Sequence, residues 1–146
     1  MEISEVLLEE LIVFDVESRT KDRAIRELAA KLENTGYVTD IDAYLAAVMK
    51  REEISSTGLG MGVAIPHGKS GAVAKACVVF GRSRDGIDYQ SDDGEPVYLL
   101  FLIAAPEAAD EHLRILANIS RKLIHERVRN ELRQAETARE VYQALS

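Results

Sequence analysis

Apolar residues fall along this chain in two patterns, a helical spacing and continuous runs, and the alternation between them is its first structural signal. Ile25, Leu28, Ala29 and Leu32 fall at i, i+3, i+4 and i+7 after Thr20, the stripe of a helix that lays one side on a core. Gly36 is placed to stop that helix. Ile41, Tyr44, Leu45 and Val48 repeat the spacing after Thr39 or Asp40, predicting a second helix that runs out near Arg51. Continuous apolar runs stand elsewhere: LIVFDV at 11–16 after a short helix near 4–9, ACVVF at 76–80, and VYLLFLIA at 97–104. The last two lack polar alternation, so they predict strands covered on both faces. Pro106 ends the second of them. A helix over about 108–125 follows, with Leu116, Ile119 and Leu123 inward, then a helical turn near 128–133. A last helix is opened by the capping box Thr137-x-x-Glu140. Interleaved helices and strands predict the α/β class, a three-layer α/β/α sandwich with a central mixed β-sheet flanked by helices.

Composition narrows what such a sandwich can do. No repeat or Pro/Gly/Ser linker divides the 146 residues, so the expectation is one domain over residues 1–146. The net charge is −7 and no stretch gathers lysine and arginine on one face, which argues against nucleic acid as a partner. No apolar run reaches ~20 residues, so direct membrane insertion is not expected. The acidic start MEISEVLLEE is unlike a secretory signal. Cys77 is the lone cysteine and sits in an apolar run, so it reads as a buried small hydrophobe of a cytoplasmic protein.

The candidate chemistry lies in the stretch STGLGMGVAIPHGKSG. Its glycines fit neither a Walker loop nor a dinucleotide loop, because a helix precedes them and a strand follows. They read as a turn needing positive φ, which would leave backbone N–H groups uncovered for an anion. His67 stands between Pro66 and Gly68 at the end of a short strand, presented rather than packed. His112 falls in the first turn of the helix after the second buried strand, where N–H groups are free to receive an anion. His125 reads as a structural cation at a helix end. The three histidines show no zinc spacing and no paired cysteine, so no metal is expected. No G-x-S-x-G elbow supports a serine nucleophile.

The run Arg51-Glu-Glu-Ile-Ser-Ser56-Thr57-Gly58-Leu-Gly-Met-Gly62-Val-Ala-Ile-Pro-His67-Gly68 resembles the phosphorylation-site signature of the enzyme IIA domains of the sugar phosphotransferase system. The likeness is to the fructose/mannitol class, which includes nitrogen-regulatory members. Pro106 and Glu111-His112-Leu113-Arg114-Ile115-Leu116 agree with it, and it extends over essentially the whole chain.

The resemblance implies that His67 carries the phosphoryl group, with the histidine phosphocarrier protein as donor. A cysteine of a IIB domain is the implied acceptor, and a membrane IIC component is involved only indirectly. Arg51 and His112 match family positions beside the phosphohistidine, and Thr57 matches a hydroxyl there. Ser56 and Thr57 keep two readings, as hydroxyls lining the phosphoryl group or as capping and turn hydroxyls. The chemistry agrees with these roles. Phosphoryl transfer needs an in-line nucleophile and donors around the moving oxygens. Imidazole is neutral near pH 7 because its ordinary pKa is about 6.5, and a guanidinium offers a planar fork to phosphate. One ring nitrogen must attack while the other holds its proton in a hydrogen bond. Transfer of this kind calls for no cofactor. It does call for a shallow, partly apolar face, carrying Leu59 and Met61. A sugar carrier of fructose type leads; a nitrogen-related regulator that signals by protein binding is the alternative, and an interaction module without phosphoryl chemistry is a third.

Overall fold

The computed structural model describes residues 3–108 and 110–146. After 3-10 turns at Ile3–Glu5 and Glu9–Leu11 come β1 (Ile12–Val13), α1 (Lys21–Ala29) with a 3-10 extension Ala30–Leu32, and α2 (Ile41–Ile54). Three short strands follow: β2 (Gly58–Gly60), β3 (Val63–Ala64) and β4 (His67–Ser70). The long strands β5 (Cys77–Ile87) and β6 (Val97–Pro106) precede α3 (Glu111–Leu123), α4 (Glu126–Gln134) and α5 (Ala138–Leu145).

The six strands make one mixed sheet in the order β1-β5-β6-β3-β2, with β4 also paired to β6. β5 and β6 run antiparallel with Phe80 opposite Phe101, whereas β1 is parallel to β5, and β3 and β4 are parallel to β6. Successive side chains on a strand face opposite ways, and β5 uses this to meet two layers. Gly81 lies under Leu28 of α1, while its neighbour Arg82 reaches the carbonyls of Leu132 and Arg133 in α4. Helices therefore cover both faces, and Val97 and every residue from Leu99 to Ala105 of β6 are buried. The predicted class and layering hold.

Several predicted boundaries shift. The helix expected near 4–9 is replaced by two 3-10 turns, and the strand expected over 11–16 pairs only at Ile12 and Val13. α2 extends past Arg51 to Ile54. β5 continues beyond residue 80 to Ile87 although that part carries Arg82, Arg84 and Asp85. Asn34, at φ 63°, turns the chain after α1 before Gly36 does. The helix expected from about 108 begins at Glu111, and position 109 within that expectation lies outside the described residues. The turn near 128–133 is the nine-residue helix α4, and His125 is its N-cap rather than the end of α3. Cys77 is buried, as expected.

Candidate functional site

α2 packs along β4, and that contact places the central histidine. Asp40 opens α2 by accepting the Ala43 N–H at 3.2 Å, and Tyr44, Leu45 and Val48 are buried beneath it. A Cβ on Gly68 would lie 2.7 Å from Val48 Cγ2 and 3.2 Å from Tyr44 Cε1, so only glycine fits after His67. The Tyr44 hydroxyl donates to the Ile103 carbonyl at 2.7 Å, and Ile103 is the β6 partner of His67. Helix and both strands are thus pinned together around the histidine.

His67 is the first residue of β4, not the last of the preceding strand, because Ile65 and Pro66 interrupt β3 and β4. Its ring is half-buried. Nδ1 stands 2.9 Å from the Ile65 carbonyl oxygen. A carbonyl can only accept, so Nδ1 carries the hydrogen and Nε2 keeps the lone pair. This is the division of labour a histidine nucleophile requires.

β4 runs beside the C-terminal half of β6, and α3 starts just after β6, so His67 and His112 meet although 45 residues separate them (112 − 67). Their rings stack with centroids 6.4 Å apart at an interplanar angle of 29°. Nδ1 of His112 is buried with no hydrogen-bond partner among the described residues. Burial, then the Lys69 charge, then His67 hold the His112 imidazole below its ordinary value, against a smaller opposite pull from Asp110. His112 is therefore a neutral ring with an unused polar atom beside His67. Lys69, on β4, forms an ion pair at 3.8 Å with Asp110, the residue that precedes α3.

Arg51 sits on the last turns of α2, half-buried, and donates to the Ser55 carbonyl at 2.9 Å. One arm of its fork thus closes the helix end. Ser56 accepts the Gly58 N–H at 3.1 Å in a turn. Thr57 is buried, and its hydroxyl bonds the Glu52 carboxylate and, at 2.8 Å, the Tyr89 hydroxyl. Of the two readings kept for these hydroxyls, the bonds observed are those of a turn and an internal anchor.

The glycine turn has the positive φ expected, at Gly60 (81°), Met61 (60°) and Gly62 (77°). Side chains take some of the N–H groups in and just before this turn. Asp93 takes the Met61 N–H at 3.3 Å, Glu52 takes that of Thr57 at 3.2 Å, and Ser56 takes that of Gly58. Around the turn, Leu59 and Met61 are 45% and 52% exposed, and Leu113 beside His112 is 53% exposed. The exposure expected of Leu59 and Met61 is therefore present. Among the described residues no cluster of His, Cys, Asp or Glu is arranged to hold a metal ion.

Glu52, Lys69 and Asp110 were not singled out from the sequence. Glu52 had a signal: it continues the inward stripe of Tyr44, Leu45 and Val48 by one more turn, so an acid occupies a core position. Lys69 and Asp110 had none, because their pairing depends on the β4–β6 register.

The family model described as phosphoenolpyruvate-dependent sugar phosphotransferase system, EIIA 2, matches residues 5–146. The chain is 43% identical over 138 residues to the PTS system fructose-specific EIIABC component of Bacillus subtilis (strain 168), covering 94% of this chain but only 22% of that protein. It is 42% identical over 146 residues to the PTS system fructose-specific EIIA component of Haloferax volcanii, covering 99% of this chain and 95% of that one. Among solved structures, the nitrogen regulatory protein IIA-Ntr from Neisseria meningitidis superposes with a TM-score of 0.90 at 35% identity, covering 99% of both chains. The IIA mannitol enzyme of Escherichia coli, solved in complex with phosphorylated enzyme IIB mannitol, superposes with a TM-score of 0.80 at 28% identity, over 93% of this chain and 94% of that one.

Proposed function

The chain belongs to the EIIA 2 family of the phosphoenolpyruvate-dependent sugar phosphotransferase system, and from that premise we propose that His67 carries a phosphoryl group between two proteins. Membership makes the chain a phosphotransferase component. In our reading the donor is the histidine phosphocarrier protein, and the acceptor is a cysteine of a fructose-type IIB domain. One phosphoryl-transfer unit spans the chain.

The observation that carries this reading is the bond from His67 Nδ1–H to Ile65, which leaves the Nε2 lone pair free beside His112. In the uptake step Nε2 attacks phosphorus in line and the donor's N–P bond breaks. The donor imidazole leaves with that electron pair. The transition state is loose, so the protein's task is to position the groups and to hold the charge on the equatorial oxygens. Arg51 supplies a permanent positive charge and a fork of donors. His112 supplies the polar nitrogen that has no partner among the described residues. Thiolate attack then moves the group on to IIB. Leu59, Met61 and Leu113 are exposed apolar side chains that a brief contact of the small class, below about 1,200 Å², could use.

The test is label from phosphorylated carrier protein: one acid-labile phosphoryl group on the wild type, none on His67→Ala. A His67→Ala variant that still labels sinks the assignment. A nitrogen-type regulatory role is the second reading, favoured by the TM-score of 0.90 to the Neisseria protein. Rapid arrival of label on the cysteine of a fructose-type IIB supports the carrier. Phosphohistidine that stays put with every IIB supports the regulator.

A further inference from the structure

Glu52 is a carboxylate in the interior, 9% exposed, on the inward stripe of α2. An ionised carboxylate is tolerated in such a place only when its lone pairs are filled. Here four donors meet it. The Thr57 N–H and the Lys21 ammonium reach Oε2 at 3.2 Å and 3.4 Å, and the hydroxyls of Thr57 and Tyr89 both reach Oε1. Burial and the Glu52 charge push the Tyr89 phenol far up, so it stays a donor. Lys21 also stands 4.9 Å above the Tyr89 ring. The cluster ties the start of α1, the end of α2, the loop before β2 and the segment after β5.

From this carboxylate a run of hydrogen bonds leads to the reactive ring. Thr57, held at its N–H by Glu52, gives its own carbonyl to the Ile65 N–H at 3.1 Å. Ile65 in turn gives its carbonyl to His67 Nδ1–H at 2.9 Å. Each bond fixes the backbone group that makes the next one. Pro66, between Ile65 and His67, has a fixed φ, which limits the ways the Ile65 carbonyl can sit relative to the His67 ring.

We propose that Glu52 is a positioning residue for phosphoryl transfer. It fixes Thr57, and through Thr57 and Ile65 it sets the tautomer and aim of the His67 imidazole. Glu52 itself is too deep to meet the phosphoryl group. The proposal rests on the reading of His67 as phosphoryl acceptor. Carboxylates that orient a histidine directly are a common catalytic device; here the orientation passes through two backbone links.

The proposal separates from a merely structural role by the state of one ring. Nitrogen-15 NMR of the His67 side chain in the unphosphorylated protein reads the tautomer without any transfer reaction. The wild type is expected in the Nδ1–H form. In Glu52→Ala the Nε2–H form rises to at least one fifth, and phosphorylation by phosphoramidate slows about tenfold. Phosphoramidate is a small donor that loses ammonia as Nε2 takes the phosphoryl group, so no partner protein enters the comparison. Glu52→Gln keeps the shape and an acceptor for Thr57, and restores most of both readouts. If Glu52→Ala does not fold, Tyr89→Phe, which removes one donor to Glu52, is read instead, with smaller changes in the same direction. A folded Glu52→Ala, or in its place Tyr89→Phe, that keeps the wild-type tautomer overturns the proposal, as does one that shifts tautomer with no loss of rate. Absence of phosphate on His67 in the wild type would overturn the transfer reading alone, since the tautomer still tests the link to Glu52.

Discussion

The Nδ1 atom of His67 and the carbonyl oxygen of Ile65, two residues earlier, are 2.9 Å apart. In the proposed transfer, that short local bond decides which nitrogen reacts. A protonated Nδ1 engaged with a carbonyl has no lone pair to offer, so the phosphoryl group goes to Nε2. We expect phosphorylated protein to contain the Nε2 isomer alone, read from the nitrogen-15 shifts and the coupling to phosphorus. Any substantial Nδ1 isomer in the wild type contradicts the assigned tautomer.

Arg51 should contribute to the rate far more than to stability. Its observed bonds, to the carbonyl and more weakly to the hydroxyl of exposed Ser55, are together worth about 1 kcal/mol. Loss of a preorganised donor facing developing charge costs on the order of 10²–10³ in rate. Arg51→Ala is therefore expected to melt within a few degrees of the wild type and to take up phosphate at least a hundredfold more slowly. Arg51→Lys keeps a charge without the fork and should fall between them. Stopped-flow uptake at wild-type rates in both variants would remove Arg51 from the site.

Those two residues were legible because they close the two ends of one continuous motif, Arg51 to Gly68, whose resemblance to the family signature assigned both; Pro66 and Gly68 added a local signal for His67. The helical stripes and the N-caps Asp40 and Thr137 were legible because their signals are local, since each cap accepts the N–H three residues on. What escaped depends on distant partners. β5 extends to Ile87 through Arg82 because that charge finds carbonyls on α4. β1 shrinks to two residues because only Ile12 and Val13 find partners on β5. The stacking of His67 on His112 follows from β4–β6 pairing, which no spacing along the chain encodes. The glycine turn was read correctly in its dihedral angles, but the capture of the Met61 N–H was not legible, because the side chain that takes it, Asp93, lies 32 residues away.

Arg82 supplies a test of the fold that leaves the site untouched. It is 3% exposed, and its guanidinium donates to the carbonyls of Phe14 at 3.1 Å, Leu132 at 3.3 Å and Arg133 at 3.2 Å, and to that of Ala135. Three of these are at the C-terminal end of α4, where carbonyls lack helical partners. Arg82→Met strands them in the interior, and we expect a loss of about 2–4 kcal/mol in urea unfolding. Folded Arg82→Met should still accept phosphate at the wild-type rate. A loss below about 0.5 kcal/mol would show that water satisfies those carbonyls instead.

His112 makes stability depend on pH with a definite sign. Burial first, then Lys69 and His67, hold its folded-state imidazole below the ordinary 6.5. Above that value both folded and unfolded chains hold it neutral, and it contributes nothing. As the pH falls through 6.5 the unfolded chain takes the proton first, so stability is lost until the folded pKa is passed. The melting temperature of the wild type should drop more between pH 7.5 and pH 5.5 than that of His112→Gln. Equal drops would mean that the ring titrates as it does in an unfolded chain. A phosphoryl group on His67 brings negative charge to this neighbour, which favours the protonated form. The His112 titration followed by NMR should therefore move upward on phosphorylation.

Met61 sets docking against folding at one position. Its φ of 60° is a left-handed conformation that glycine adopts freely and a side chain does not, at a cost of about 1 kcal/mol. The side chain is 52% exposed, in the turn between β2 and β3, so burial inside this chain does not offset the strain. Contact with a partner can. Met61→Gly should raise stability by up to about 1 kcal/mol, because it keeps the backbone N–H that Asp93 holds while removing the strain. In the same variant, the KM for the phosphorylated carrier should rise severalfold, with kcat for uptake nearly unchanged, since His67, Arg51 and His112 stay in place. A more stable variant with an unaltered KM would show that the partner docks elsewhere and that the strained methionine has some other cause.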